Sequence, residues 1–337
     1  MLDPAQSAAR VVLCPGQGAQ AVGMGRAWYD RSPEARAIFD RADRLVGDRL
    51  DPSRTLSRLC FEGPPERLNQ TDVSQPAIYV CSVASWAGLL AGWGAGGAPG
   101  ASVKEAGVLA TAGLSLGEYT ALHLAGAFSF EAGLELVLLR GRAMQDAADA
   151  VRNPDGTPGS GMVALIGADE AQAAAVCDQA RGPDVLVPAN FNAPGQVVIS
   201  GHISACRRAV EVAGTMGLRA TALPVAGAFH SPIMKPAADR LRTALAATPM
   251  HPPSCTVYSN VTAAAHEPGV DSIRSRLVEQ LTMPVLWDRG CKAMIAGLAG
   301  RGGGVVEFHE LAPGKTLAGL MRRIDKSTKV DTHDEPV

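Results

Sequence analysis

The chain has 337 residues, enough for one large domain or a large domain carrying a smaller one. Its hydrophobic share of 47% is that of an ordinary globular protein, and its net charge of −2 gives no electrostatic ground for binding nucleic acid or a membrane surface. The seven cysteines, at 14, 60, 81, 177, 206, 255 and 291, lack C-x-x-C or His/Cys ligand spacing, which argues against a zinc site or a disulfide framework and fits reduced thiols in the cytoplasm.

Met1-Leu2-Asp3-Pro4 opens without the basic and apolar segments of a secretory signal, and no run approaches the ~20 apolar residues of a membrane span. Arg10–Cys14 is a short apolar strand broken by Pro15-Gly16-Gln17-Gly18, read either as a plain turn or as a strand-end loop presenting backbone amides. Residues 92–106 are rich in Gly and Ala and read as a flexible surface loop without chemistry.

The apolar run Gly107–Ala112 then feeds Gly113-Leu114-Ser115-Leu116-Gly117 and the helix-forming Glu118-Tyr119-Thr120-Ala121-Leu122. Strand, Gly-x-Ser-x-Gly and helix in that order read as a nucleophile elbow. Glycines permit the sharp turn, where a Cβ would crowd the backbone. The turn exposes the Ser115 hydroxyl and aims the first helix amides at one point, where an oxyanion can form.

The elbow helix is expected from Leu116 to about Ala125, and Ser129 caps a second helix with apolar positions at Leu134, Val137, Leu138 and Met144. The first runs ~15 Å away from Ser115 and the second returns by a similar length at Arg140. An antiparallel pair therefore brings the Arg140 guanidinium back to the level of the serine. The alternative for Arg140 is an ordinary helix arginine in solvent or in a salt bridge.

From Gly161 the pattern changes. Strands at Met162–Ile166, Val185–Asn192, Gln196–Ser200 and Thr221–Pro224, with helices at Asp169–Ala180 and about Ile203–Met216, give β-α-β-β-α-β, the ferredoxin-like arrangement. The remainder adds a helix near Pro236–Ala247, a strand at Thr256–Ser259, helices around 272–281 and 286–299, and the strand Val305–Phe308. Pro313-Gly314-Lys315 and a last helix follow. The expected fold is α/β: a hydrolase-like large domain with a mostly parallel sheet, in pieces 9–152 and 225–325, and an inserted ferredoxin-like domain at 159–224. Residues 326–337 read as a polar, disordered tail.

A serine nucleophile needs a base. His123 sits two turns into the elbow helix, too far to reach Ser115. His202, His251, His266 and His333 stand in polar or turn contexts and read as surface residues. His309 follows a strand and is harder to dismiss. His230 lies in the apolar loop Val225–Pro232 where the small domain rejoins the large one, the place for a cleft base, though spacing makes it only a candidate. No acidic residue between Ser115 and a histidine has the context of a triad acid.

Several blocks together resemble the malonyl-CoA:acyl carrier protein transacylases and the related acyltransferase domains of fatty acid and polyketide synthases. They are Pro15–Gln20, Thr71 with Gln75-Pro76-Ala77-Ile78, the elbow, Leu139–Gln145, Asn190–Gly201, Ala228-Phe229-His230, Ser259–Thr262, Gln280-Leu281 with Pro284-Val285 and Trp287, and Pro313-Gly314-Lys315. The resemblance runs from about Val11 to Ile324. It implies that Ser115 is the acylated nucleophile and His230 its base. It also implies that the histidine is oriented by a backbone carbonyl, at Gln280, in place of a carboxylate. The amides of Gln17 and Leu116 match the oxyanion hole, Arg140 the arginine that grips the malonyl carboxylate, and Asn192 a pocket asparagine near the thioester. Phe229 matches a bulky residue that narrows the space for a 2-methyl branch, with ordinary core packing the alternative. Two positions depart from the family pattern: Leu114 stands where many members have histidine, and Ala312 where glycine is usual.

The resemblance implies an acyltransferase that loads malonyl from malonyl-CoA onto acyl carrier protein for fatty acid synthesis, without a cofactor or metal, through a ping-pong cycle. It further implies a cytoplasmic monomer. A stand-alone polyketide acyltransferase, a thioester hydrolase on the same elbow and a non-catalytic carrier-binding protein are the competing readings. The resemblance also implies an acidic carrier protein and hence a basic docking surface; Arg322, Arg323, Lys326 and Lys329 are the one obvious basic cluster, with a solvated tail as the alternative.

Overall fold

The computed structural model describes residues 9–93, 103, 106–299 and 305–336. The expected loop at 92–106 lies largely outside them. Five strands form one sheet: β1 (Ala9–Cys14), β2 (Val108–Gly113), β7 (Thr256–Tyr258), β8 (Val306–Leu311) and β9 (Val330–His333). Their order is β7-β2-β1-β8-β9, and every pairing is parallel. A parallel sheet is covered on both faces, so its central strands are near-continuous apolar runs. β1 shows this directly, because alternate side chains of a strand point to opposite faces. Val12 and Cys14 pack into the core built on α2 (Pro33–Val46), α5 (Thr71–Gly92) and α7 (Phe130–Asp149). Val11 and Leu13 pack with α12 (Trp287–Leu298) and α13 (Thr316–Ile324).

α5 corrects one expectation. It is long and apolar enough to cross a membrane by length and composition, yet 89% of its most apolar window is buried inside the protein. It is the central core helix, packed between α2 and α7. α2 is capped by the Ser32 side chain with Pro33 in its first turn, and α7 by the Ser129 side chain, as its sequence predicts.

The second sheet is antiparallel, with order β4-β5-β3-β6, from β3 (Ser160–Ile166), β4 (Leu186–Ala193), β5 (Gln196–His202) and β6 (Arg219–Ala222). α8 (Glu170–Arg181) and α9 (Ile203–Thr215) cover it through a separate apolar cluster that includes Val176, Cys177, Cys206 and Ala209. This is the expected ferredoxin-like topology. α8 opens with a reciprocal capping box between Asp169 and Gln172. The second sheet is tied to the segment before α12 at β4, where Phe191 N–H donates to the Val285 carbonyl and Val285 N–H to the Ala189 carbonyl, each at 2.9 Å.

The carboxyl-terminal segment departs from the expected disordered tail. β9 pairs with β8, the Trp28 indole N–H donates to the His333 carbonyl at 2.9 Å, and His333 is buried against His309. The polar look of 326–337 misleads because an edge strand has one neighbour and keeps its outer side wet. All seven cysteines are free thiols, six of them buried.

Candidate active site

The elbow is built by close backbone approach. β2 ends at Gly113 and α6 (Gly117–Leu124) begins four residues on. A Cβ on Gly113 would fall 1.9 Å from the Gly117 carbonyl carbon, and one on Gly117 would fall 2.1 Å from the Cys14 carbonyl oxygen. No side chain fits at either place. Between them Ser115 takes φ +53°, a left-handed conformation that costs a non-glycine residue energy and is typical of a nucleophile held out of the regular backbone. Asn260 holds this turn: its Oδ1 accepts from Ser115 N–H at 2.6 Å, and its Nδ2 donates to the Gly113 carbonyl at 2.8 Å.

Four of the expected site residues meet directly. Ser115 Oγ lies 2.9 Å from His230 Nε2, and His230 Nδ1 lies 2.7 Å from the Gln280 backbone carbonyl. That carbonyl can only accept, so Nδ1 carries the proton and Nε2 is left to accept from the serine. Arg140 Nη2 donates to Ser115 Oγ and to Gln280 Oε1, each at 3.0 Å, and Nη1 donates to Gln75 Oε1 at 2.7 Å. The antiparallel α6–α7 pair thus brings Arg140 to the serine as its spacing predicts.

The electrostatics are unusual. Arg140 is 1% exposed, its guanidinium carbon 5.3 Å from the Tyr119 ring centroid, and among the described residues no carboxylate lies within 4.0 Å of it. Burial lowers its pKa, opposed by Tyr119 and more weakly by Glu118, but a guanidinium stays cationic. His230 is pushed down to about 4, first by burial and then by the Arg140 charge, against the favourable bond to Gln280. Its imidazole is therefore neutral near pH 7, the form that accepts a proton.

The remaining expected positions are more dispersed. Gln17 is joined through side chains: Gln75 Nε2 donates to Gln17 Oε1 at 3.3 Å, and Gln17 Nε2 to Thr71 Oγ1 at 3.4 Å. The backbone N–H groups of Gln17 and Leu116 donate to no acceptor among the described residues, while those of Gly117 and Glu118 close the first helical turn. Phe229 is buried, and it belongs to the large apolar core, which also takes in Met162, Ala189 and Val198 of the second sheet. Asn192 lies on β4 with Oδ1 buried and unpartnered, and it shares no hydrogen bond with the serine cluster.

The other histidines resolve by burial. His309 Nδ1 is 3.0 Å from His333 Nε2, on strands β8 and β9, and neither is bonded to Ser115. His123 bonds the Phe128 carbonyl. Two histidines read as surface residues are not: His333 is 7% exposed, and the His266 side chain is 2% exposed and bonded to Glu118. His266 stands in a turn-like stretch and His333 among polar residues, but the loop at 259–266 folds back to the elbow through Asn260 and β9 joins the sheet.

Sequence reasoning left Gln75, Glu118 and Asn260 without roles, although all three fall in or beside quoted blocks. A motif shows the serine turn but not the amides and carboxylate that hold it. Among the described residues no cluster of His, Cys, Asp or Glu is placed to hold a metal.

Residues 11–302 match the acyl transferase domain family. The chain is 38% identical over 323 residues to the malonyl CoA-acyl carrier protein transacylase of Escherichia coli K12, covering 96% of this chain and 94% of that one. The solved malonyl-CoA:acyl carrier protein transacylase of Xanthomonas oryzae superposes with a TM-score of 0.84 at 38% identity, over 98% of this chain and 95% of that one. A malonyl-transacylase solved with its type II polyketide acyl-carrier protein gives 0.83 at 33% identity, over 97% and 96% of the two chains. With the serine elbow, the two-sheet architecture and these matches in agreement, the chain belongs to the acyl transferase domain family, among its malonyl CoA-acyl carrier protein transacylases.

Proposed function

We propose that this acyltransferase moves a malonyl group from malonyl-CoA to the phosphopantetheine thiol of an acyl carrier protein through an ester on Ser115. The observation that carries the reading is the Arg140 guanidinium, buried, without a carboxylate partner among the described residues and 3.0 Å from the Ser115 hydroxyl. A buried cation with only amide and hydroxyl acceptors is a site for an incoming carboxylate, and a planar fork binds one better than an ammonium would.

Ser115 Oγ attacks the thioester carbonyl as His230 Nε2 takes its proton. The tetrahedral oxyanion faces the N–H groups of Gln17 and Leu116. Collapse expels the coenzyme A thiolate, which takes the proton back from His230. The carrier thiol then repeats the sequence in reverse: it loses its proton to His230, attacks the ester and returns Ser115 as the free hydroxyl. Gln280 keeps the imidazole in one tautomer through both halves. Asn192 lies along the thioester, and Phe229 narrows the space beside the base against a branched acyl group. No step calls for a metal or cofactor.

In this reading the chain divides into large-domain pieces 9–152 and 225–325 with the inserted domain 159–224 between them. The free thiols fit a cytoplasmic setting, and malonyl-carrier is the building block of the carbon–carbon condensations of fatty acid synthesis. Intact-mass spectrometry after incubation with malonyl-CoA tests the proposal. A malonyl adduct that vanishes in Ser115→Ala and passes to holo carrier protein supports it. An adduct elsewhere, or release of free malonate at the rate of transfer, overturns it and favours a hydrolase.

A further inference from the structure

We infer that Glu118 and His266, which the proposed mechanism leaves unused, are positioning residues that set Ser115 activation and malonyl selectivity together. The inference rests on the transferase reading for selectivity, but not for Ser115 activation.

The geometry is a buried junction. Glu118 is wholly buried, and its two carboxylate oxygens receive three bonds. Oε1 accepts from His266 Nε2 at 2.7 Å; Oε2 accepts from Gln280 Nε2 at 2.7 Å and from Asn260 N–H at 3.1 Å. Gln280 Nε2 also donates to the Ser115 carbonyl at 3.0 Å. With both of its neighbours able only to accept, the Gln280 amide nitrogen must face Glu118 and the elbow. Its oxygen must then face Arg140, which can only donate. Turned over, the amide would set a donor against the guanidinium and an acceptor against a carboxylate.

Glu118 thus fixes which end of Gln280 meets Arg140, while the backbone carbonyl of the same Gln280 holds His230. Through Asn260 it also supports the residue that pins the Ser115 amide. One carboxylate therefore bears on the nucleophile, the base and the carboxylate-binding arginine. His266 reaches it from the loop after Asn260 and occupies the oxygen that the site does not use. Without that donor Oε1 is buried with no partner, and the carboxylate is free to rotate away from Gln280.

A merely structural pair would lower stability and slow all acyl donors alike. A positioning pair changes the ratio between donors, because only malonyl uses Arg140. Gln keeps an N–H where His Nε2 stands, whereas Leu has none, so His266→Leu and His266→Gln form the test, with Glu118→Ala as the severe case. Two readouts are needed. The rate of Ser115 labelling by a fluorophosphonate reports serine activation whatever the natural acyl donor is. The malonyl-CoA to acetyl-CoA ratio of kcat/KM reports Arg140. In folded protein, checked by circular dichroism and Tm, His266→Leu is expected to lose ~10-fold or more in both, as misplacement of a reacting group does. His266→Gln recovers most of each, and Glu118→Ala loses more than His266→Leu. Equal labelling in all variants, or equal losses in Leu and Gln, overturns the inference. If the wild type labels at Ser115 but takes no malonyl, the transferase reading fails, and the labelling series still decides the role of the pair.

Discussion

Arg140 and Ser115 share a hydrogen bond of 3.0 Å, guanidinium to hydroxyl, in a site where no carboxylate within 4.0 Å neutralises the arginine among the described residues. The site holds that charge with the amide oxygens of Gln75 and Gln280 and the Tyr119 ring. Neutral dipoles solvate a cation less well than a paired anion does, so a substrate carboxylate has a ready partner. Arg140→Ala is expected to lose malonyl loading by a few kcal/mol, the usual cost of orphaning a buried charge, with acetyl loading much less affected. Arg140→Lys recovers part, since an ammonium lacks the fork that spans Gln75 and Gln280. The ratio of kcat/KM for the two acyl-CoAs measures this; a ratio unmoved by Arg140→Ala makes the arginine structural.

The same proximity sets the pH behaviour of His230. Burial and the Arg140 charge hold His230 at about 4, below its ordinary 6.5. The neutral, proton-accepting form therefore persists as pH falls through 6.5 and is lost only near the lowered value. The acid limb of kcat/KM that belongs to this histidine should lie well below 6.5. Removing the cation favours the imidazolium, so Arg140→Met should move that limb upward. A wild-type limb at or above 6.5, or a downward move, contradicts the assignment. His230→Ala is expected to lose ~10²–10⁴-fold in both half-reactions. His309→Ala should keep near wild-type rates, because His309 is bonded to His333 and not to the serine.

Much of this site was legible in the sequence because its geometry is local. The Gly-x-Ser-x-Gly turn follows from two glycines whose Cβ atoms would strike backbone, and the level of Arg140 follows from helix lengths, while its role comes from the family resemblance. The choice of His230 over His309 was not legible from spacing, since it depends on how the chain returns from the second sheet to the first; the family resemblance supplied it. Glu118 and His266 were illegible for a different reason. They are 148 positions apart, and nothing local tells a buried loop histidine from an exposed one. The carboxyl-terminal strand was missed because edge strands carry a weak apolar signal.

That strand gives a prediction of its own. His309 and His333 are both shifted down, chiefly by burial, His333 to about 4. Glu307, Asp331 and Arg10 face the pair: Glu307 raises His309, Asp331 raises both, and Arg10 lowers His309. A lowered histidine contributes stability above its unfolded value of about 6.5 and loses it as pH falls through its folded one. Amide exchange at Val330–His333, corrected for the intrinsic rate, should therefore rise between pH 7 and pH 4.5 more than in β1. His333→Gln, which cannot take up a proton, should flatten that difference. Equal pH dependence in both strands, or in both proteins, would show that the pair does not hold β9.

Ser115 itself carries backbone strain that can be separated from its chemistry. At φ +53° a side chain costs on the order of 1 kcal/mol, which glycine avoids. Ser115→Ala and Ser115→Gly both delete the hydroxyl and its bonds to His230 and Arg140, so both should abolish the acyl adduct equally. They differ only in the Cβ at the turn. Glycine gives back some of the relief through its freer unfolded chain, about 0.5 kcal/mol. The net expectation is that Ser115→Gly is more stable than Ser115→Ala by roughly 0.5 kcal/mol, about 0.7 °C in Tm for a protein of this size. Paired thermal melts of the two inactive variants measure it. If alanine proves the more stable, the serine is not strained and the elbow holds its nucleophile without stored conformational energy.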